Sequence, residues 1–258
     1  MTAMARLVLL YFLLWVGVTV STAVDLQKRI IGGDDCDKAD RLYHVKLRAT
    51  DGTRTSLCGG SLIADQWVLT AAHCWKPGRT MYADVNVHPG EKLETMVITT
   101  HKIYEEHNKK HDIMLLKLPQ NPQHIHKIPP PDCTTDLQLT NTFQAAGHGC
   151  DAVDGANAFL KHCPLTLQCV NLPVVNCQPI KAVLTSSYPN IPYPNLFCAQ
   201  AQDKETAPGD SGGGVVYNDK IYGIVLGGHP THAFQEPCEF LRVCPYMTWI
   251  NSTISSNP

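Results

Sequence analysis

From Leu7 to Val20 the chain is almost unbroken apolar sequence, with Arg6 before it and the small residues Ser21-Thr22-Ala23 after it. A run this short with this flank predicts a secretory signal peptide over residues 1–23, an N-terminal membrane anchor being the alternative. Beyond it the pattern is strand-like. In Tyr43-His44-Val45-Lys46-Leu47-Arg48, apolar and polar residues alternate with period two, which predicts a half-buried strand. Gln66 to Thr70, Ile113 to Leu118 and Lys220 to Val225 are further short β-prone runs between turn residues. Lys127-Ile128-Pro129-Pro130-Pro131 resists both helix and central strand and predicts a stiff linker between two halves, with the boundary near 127–132. At the far end Tyr246, Trp249, Ile250, Thr253 and Ile254 fall on one helical face behind Pro245, which predicts a C-terminal amphipathic helix packed on the second half.

Composition narrows the class. A formal net charge of −2 lacks the basic excess of a nucleic-acid binder. Eleven cysteines behind a signal peptide point to disulfides, and the odd number leaves at least one thiol without an internal partner. Asn251-Ser252-Thr253 is a glycosylation sequon, consistent with a secreted glycoprotein.

Three separated segments supply a nucleophile, a base and an orienting carboxylate. Gly209-Asp210-Ser211-Gly212-Gly213 puts a serine in a glycine-rich turn whose backbone N–H groups can converge on one anion. A serine hydroxyl needs a neighbouring base to take its proton. Leu69-Thr70-Ala71-Ala72-His73-Cys74 offers His73 for that work. His111-Asp112-Ile113-Met114-Leu115-Leu116 offers Asp112, at the head of an apolar strand, to hold the imidazole in one tautomer.

These segments, together with Arg29-Ile30-Ile31-Gly32-Gly33, Cys58-Gly59-Gly60-Ser61-Leu62-Ile63 and Leu167-Gln168-Cys169, make the chain resemble the chymotrypsin-like serine proteases, the trypsins, kallikreins and granzymes, over residues 30–258. The resemblance implies an all-β fold of two six-stranded antiparallel β-barrels with a C-terminal α-helix. It implies His73, Asp112 and Ser211 as catalytic residues, with the N–H groups of Gly209 and Ser211 as oxyanion hole. It further implies a pro-peptide over residues 24–29, cleavage after Arg29 by a trypsin-like activating protease, and pairing of the freed Ile30 amine with Asp210. Cys36–Cys169, Cys58–Cys74, Cys177–Cys198 and Cys133–Cys244 are the disulfides it implies. Cys150 could then bridge Cys163 and leave Cys238 free. The family's bridge after the linker is lost at both ends, where Phe143 and Tyr217 stand. Protein or peptide substrates and protein inhibitors are the implied partners, in an extracellular or secretory-granule setting. Neither nucleic acid nor a stable membrane anchor is expected, and no cofactor is implied.

The specificity pocket departs from the family. Glu205 replaces the aspartate that binds Lys or Arg side chains in trypsins, so cleavage after basic residues is expected if it faces the pocket, and a narrow apolar slot if it faces solvent. Thr206, Gly228 and Cys238 would line the same pocket, Cys238 in place of a glycine, while Ala207 replaces a bracing cysteine. Leu226-Gly227-Gly228 replaces the family's serine, aromatic residue and glycine, which removes a hydrogen bond to the carboxylate and a wall of the groove. Gly214 stands where the family has proline. The leading reading is an active endopeptidase; a weak or inactive homologue that acts by protein binding is the alternative. His101, His107 and His111 are spaced suggestively, but no third ligand with an open position accompanies the pair, and a calcium loop near Glu91 and Glu94 shows no ligand pattern, so no metal is expected.

Overall fold

The computed structural model describes residues 30–90, 93–123, 125–135, 137–149, 152–153, 159–160, 165–228 and 231–257. The expected signal peptide and pro-peptide, together with Arg29, Glu91, Cys150 and Cys163, lie outside the described residues. After the short strand β1 (Asp34–Asp35), the first half consists of β2 (His44–Thr50), β3 (Thr55–Ala64), β4 (Trp67–Thr70), β5 (Thr80–Val85), β6 (Glu94–Ile98), β7 (Thr100–Glu106) and β8 (Lys109–Lys117). These last seven pair antiparallel in the order β6-β5-β2-β3-β4-β8-β7. No ladder joins β6 to β7, so hydrogen bonding alone leaves this sheet a half-barrel. The chain closes it instead: the two outermost strands are consecutive, with Thr99 alone between Ile98 and Thr100. A sheet whose edges are joined by one residue has to roll up, because one residue spans only about 3.5 Å.

The second half contains β9 (Thr142–Gly147), a small hairpin of β10 (Ala152–Val153) and β11 (Phe159–Leu160), then β12 (Gln168–Val175), β13 (Leu196–Ala199), β14 (Gly214–Tyr217), β15 (Lys220–Gly227) and β16 (Cys238–Arg242). Its sheet runs β12-β13-β16-β15-β14-β9, and the additional β12–β9 ladder closes six strands into a barrel, with β1 attached to β12. The linker stitches the halves together: Ile128 is buried and donates to the Leu62 carbonyl, and Pro129 accepts from the Ile221 N–H. All four disulfides implied by the resemblance are formed, and Cys238 is a free, buried thiol. At the positions of the lost bridge, Phe143 packs edge-on against Phe240 and Phe197, with ring centroids 5.1 and 5.7 Å away, and Tyr217 packs on Tyr222.

Three features differ from the sequence expectation. His44 is buried although strand alternation points it outward, because that side of β2 faces the second half, where the ring lies 5.3 Å from that of His148. Burial keeps both imidazoles neutral, holding His44 well below the usual histidine range and His148 down at about 3. Helix α1 (Lys181–Ser187) was not foreseen; it buries only Leu184 and so carries almost no apolar periodicity. Finally, the C-terminal helix α2 (Met247–Ser256), entered through a 3-10 turn at Cys244–Tyr246, docks on the first half rather than the second. Tyr104 of β7 meets Tyr246 and Trp249 edge-on, and the Tyr246 hydroxyl bonds His111 Nδ1 of β8 at 2.9 Å. Among the described residues no helix is long and apolar enough to cross a membrane.

Phe143 touches two other rings in a sheet interior that has no disulfide at this point. Phe143→Ala should therefore lower unfolding stability by about 3–5 kcal/mol, read from the denaturant midpoint. A loss below about 1 kcal/mol would show that the ring does not fill the place of the bridge.

Candidate active site

Two hydrogen bonds fix His73 against Asp112. His73 sits in the 3-10 turn Ala72–Cys74 that follows β4, a turn too short to hold itself and pinned to β3 by the Cys58–Cys74 disulfide. The β4–β8 ladder places Thr70 opposite Met114, which brings Asp112 alongside the turn. Asp112 Oδ1 accepts the His73 backbone N–H at 2.8 Å and Oδ2 meets the ring Nδ1 at 2.7 Å. An ionised carboxylate in that position keeps the proton on Nδ1 and leaves Nε2 as the basic face. The family's serine would add a donor to Asp112; Leu226 is buried and has none to give.

Ser211 reaches the same cleft through a loop that only glycine permits. Gly212 has φ +79°, and a Cβ there would stand 2.1 Å from Thr70 Oγ1 and 2.6 Å from the Gly59 carbonyl. That closeness lets the Gly59 N–H of β3 donate to the Ser211 carbonyl at 2.8 Å, across the junction of the halves. Gly209, at φ +108°, turns the loop in advance of the serine. Among the described residues the N–H groups of Gly209 and Ser211 take no acceptor, so both are available to an anion. The Ser211 hydroxyl donates to the Leu226 carbonyl at 3.3 Å instead of to His73, so attack on a carbonyl requires it to rotate.

Behind the loop, Asp210 is fully buried and accepts from the Gly149 N–H at 2.7 Å and the Ala207 N–H at 2.8 Å. A Cβ on Gly147 or Gly149 would collide with its carboxylate. Ile30 is fully buried as well, in the apolar core of the second half. Gly149 was not singled out from the sequence; its signal was the spacing Gly147-His148-Gly149, which is uninformative until Asp210 is placed beside it.

Glu205 points inward. It is 2% exposed, its Oε2 accepts the Phe234 N–H, and among the described residues Oε1 has no partner. Burial pushes its carboxyl up to about 7. A Cβ on Gly228 would stand 2.9 Å from Glu205 Oε1 and 3.9 Å from the Cys238 Cα, so these three residues lie together. Cys238 Sγ accepts from the Thr206 N–H at 3.5 Å, and burial raises the thiol to about 12, so it stands beside Glu205 as a neutral group.

Other sequence candidates are dispersed. His107 is exposed in the β7–β8 turn at positive φ, His111 is buried on Tyr246, and His101 stacks on Trp75, because the segment is a hairpin and not the helix that would have gathered two of them. Among the described residues, metal-ligand spacing occurs at Cys58, His73 and Cys74, where the two sulfurs are bonded to each other and offer no thiolate. Asn251 is exposed on α2. Tyr188 and Glu239, which the sequence reading passed over, also face this cleft.

An oriented imidazole, a serine hydroxyl and two free N–H donors can perform acyl transfer. Comparison with known proteins agrees. The family model described as Trypsin matches residues 30–250. A trypsin of Xenopus laevis is 34% identical over 92% of this chain and 95% of its own, and Trypsin-4 of Rattus norvegicus is 34% identical over 95% and 98%. The solved structure of GrC superposes with a TM-score of 0.74 at 27% identity, covering 87% of this chain and 99% of that one. The chain belongs to the trypsin family of serine endopeptidases.

Proposed function

We propose that this endopeptidase is secreted as a precursor, is activated by cleavage after Arg29, and hydrolyses peptide bonds on the carboxyl side of lysine or arginine through an acyl-enzyme on Ser211. The observation that carries the catalytic assignment is the double hydrogen bond of His73 to Asp112 beside a serine loop tied to β3 at Gly59. In this reading His73 Nε2 takes the Ser211 proton during attack and returns it to the leaving amine, while Gly209 and Ser211 N–H groups hold the oxyanion. Burial of Ile30 and of Asp210, one on each side of the proposed switch, supports activation by the freed amine, because a buried amine and a buried carboxylate are tolerated when they pair with each other. Exposure of Asn251 supports its glycosylation, and the apolar leader supports secretion. The alternative, a homologue that binds proteins without cutting them, draws on the Ser211 hydroxyl resting on Leu226.

A serine-directed fluorophosphonate decides between them. Protein cut after Arg29 should be labelled at Ser211, Ser211→Ala should lose both label and hydrolysis, and Arg29→Gln treated with trypsin should stay inactive. Folded, cut protein that takes no label would leave the binding reading standing.

Specificity should depend on pH through Glu205. Below about 7 its carboxyl is protonated and cannot pair with a cation; above that it is ionised. The kcat/KM ratio of a lysine substrate to its norleucine analogue should rise between pH 6 and pH 8, and stay flat in Glu205→Gln. Stability should move the other way. The unfolded group ionises near 4.5 and the folded one near 7, so folding takes up a proton between them and wild-type stability falls as pH rises through that window. Glu205→Gln should remove about 2 kcal/mol of that pH dependence between pH 5 and pH 8. Identical pH profiles for the two proteins would place the charge elsewhere.

A further inference from the structure

A second acidic pocket adjoins the first. A cavity of about 520 Å³ opens beside His73 and Asp112, between the turn after α1 and the end of β15, and includes Tyr188, Leu226, Gly227 and Glu239 in its lining. Glu239 interrupts the apolar sequence of β16, between buried Cys238 and Phe240, and is itself only 5% exposed. Its Oε2 accepts the Tyr188 hydroxyl at 2.7 Å, a neutral donor, and among the described residues no ion pair reaches the carboxylate. Glu236 and Asp112 add negative potential nearby, and burial raises the Glu239 carboxyl and Tyr188 phenol.

The floor of this cavity is Gly227. An atom at the place of its missing Cβ would stand 3.8 Å from the Tyr188 oxygen and 3.9 Å from Glu239 Oε2. Any side chain at 227 would therefore begin over the pair and cover it; the glycine leaves both polar atoms open to the cleft. Burying a carboxylate against a lone phenol is costly, and the cost is recovered when a cation enters. Lys110 lines the same cavity from the β8 side.

We infer that the Gly227–Tyr188–Glu239 cavity is a second specificity subsite, which takes a basic side chain of the peptide upstream of the residue in the Glu205 pocket. Side chains of an extended peptide alternate in direction, so the residues facing away from Glu205 are the second and fourth before the scissile bond. A lysine or arginine at either reaches past His73 to Glu239 and the Tyr188 hydroxyl. The enzyme is thus selective for sequences with paired or spaced basic residues. This rests on the reading of the cleft beside Ser211 as the peptide groove.

Peptides that carry arginine or norleucine at the second or the fourth position, with lysine held at the cut site, test this in two ways. Activated protein is assayed for hydrolysis, and the Ser211→Ala form for binding by fluorescence anisotropy. Arginine at one of the two positions should bind about tenfold more tightly than norleucine. Glu239→Gln should erase the difference while the preference at the cut site persists, and Gly227→Trp, which covers the pair and leaves the carboxylate itself unchanged, should erase it too. Equal binding of the arginine and norleucine peptides, or an arginine preference that survives both substitutions, overturns the subsite. If nothing is hydrolysed but Ser211→Ala still prefers arginine, the subsite stands and the catalytic reading alone falls.

Discussion

The hydrogen bond from the Gly59 N–H to the Ser211 carbonyl joins the two halves where it matters. His73 and Asp112 belong to the first sheet and Ser211 to a loop of the second barrel, so no local structure relates them. What relates them is a backbone approach so close that Gly212 has no room for a Cβ between Thr70 and Gly59. The same strand carries Cys58, which pins the turn of His73. One strand of the first half thus indexes both the imidazole and the serine loop, and displacement of either by an ångström would uncouple them.

Around this junction three buried carboxylates are handled in three ways. Asp210 is cradled by backbone N–H groups and by glycines that make room for it. Among the described residues Glu205 has one donor to its side chain and one unpartnered oxygen, and burial shifts its ionisation toward neutrality. Glu239 leans on a phenol. A buried charge with few donors is a cost to the fold and a resource for binding, because a cation that arrives gains what folding could not supply. The cleft is therefore acidic in depth although the whole chain is nearly neutral.

Much of this was legible in advance. The strands β4, β8 and β15 appear within a few residues of the apolar runs Gln66–Thr70, Ile113–Leu118 and Lys220–Val225, because a strand buried on both faces writes a continuous apolar signature. Helix α1 wrote none, since a helix that buries one leucine needs no stripe. The docking of α2 was misread because its apolar face states that a partner exists and not which sheet provides it; Tyr104 and His111 decided that. His44 was misread because a period-two pattern assigns one face to water, and at this end of β2 the second half covers that face.

The sequence by itself determined the chemistry: His73, Asp112 and Ser211 in flanks that suit a base, an orienting acid and a nucleophile, and glycines at 209 and 212 where the serine loop turns at positive φ. These are local demands, met by residue type. Only the tertiary structure decided which carboxylates face the cleft and which atoms they meet. Glu205 could have been a solvated loop acid, and Glu239 drew no reading at all; burial, set by residues distant in sequence, turned the first inward and left the second under Gly227 at the edge of the cleft. Electrostatic character of this kind depends on distance and dielectric together, and neither exists until the chain has folded.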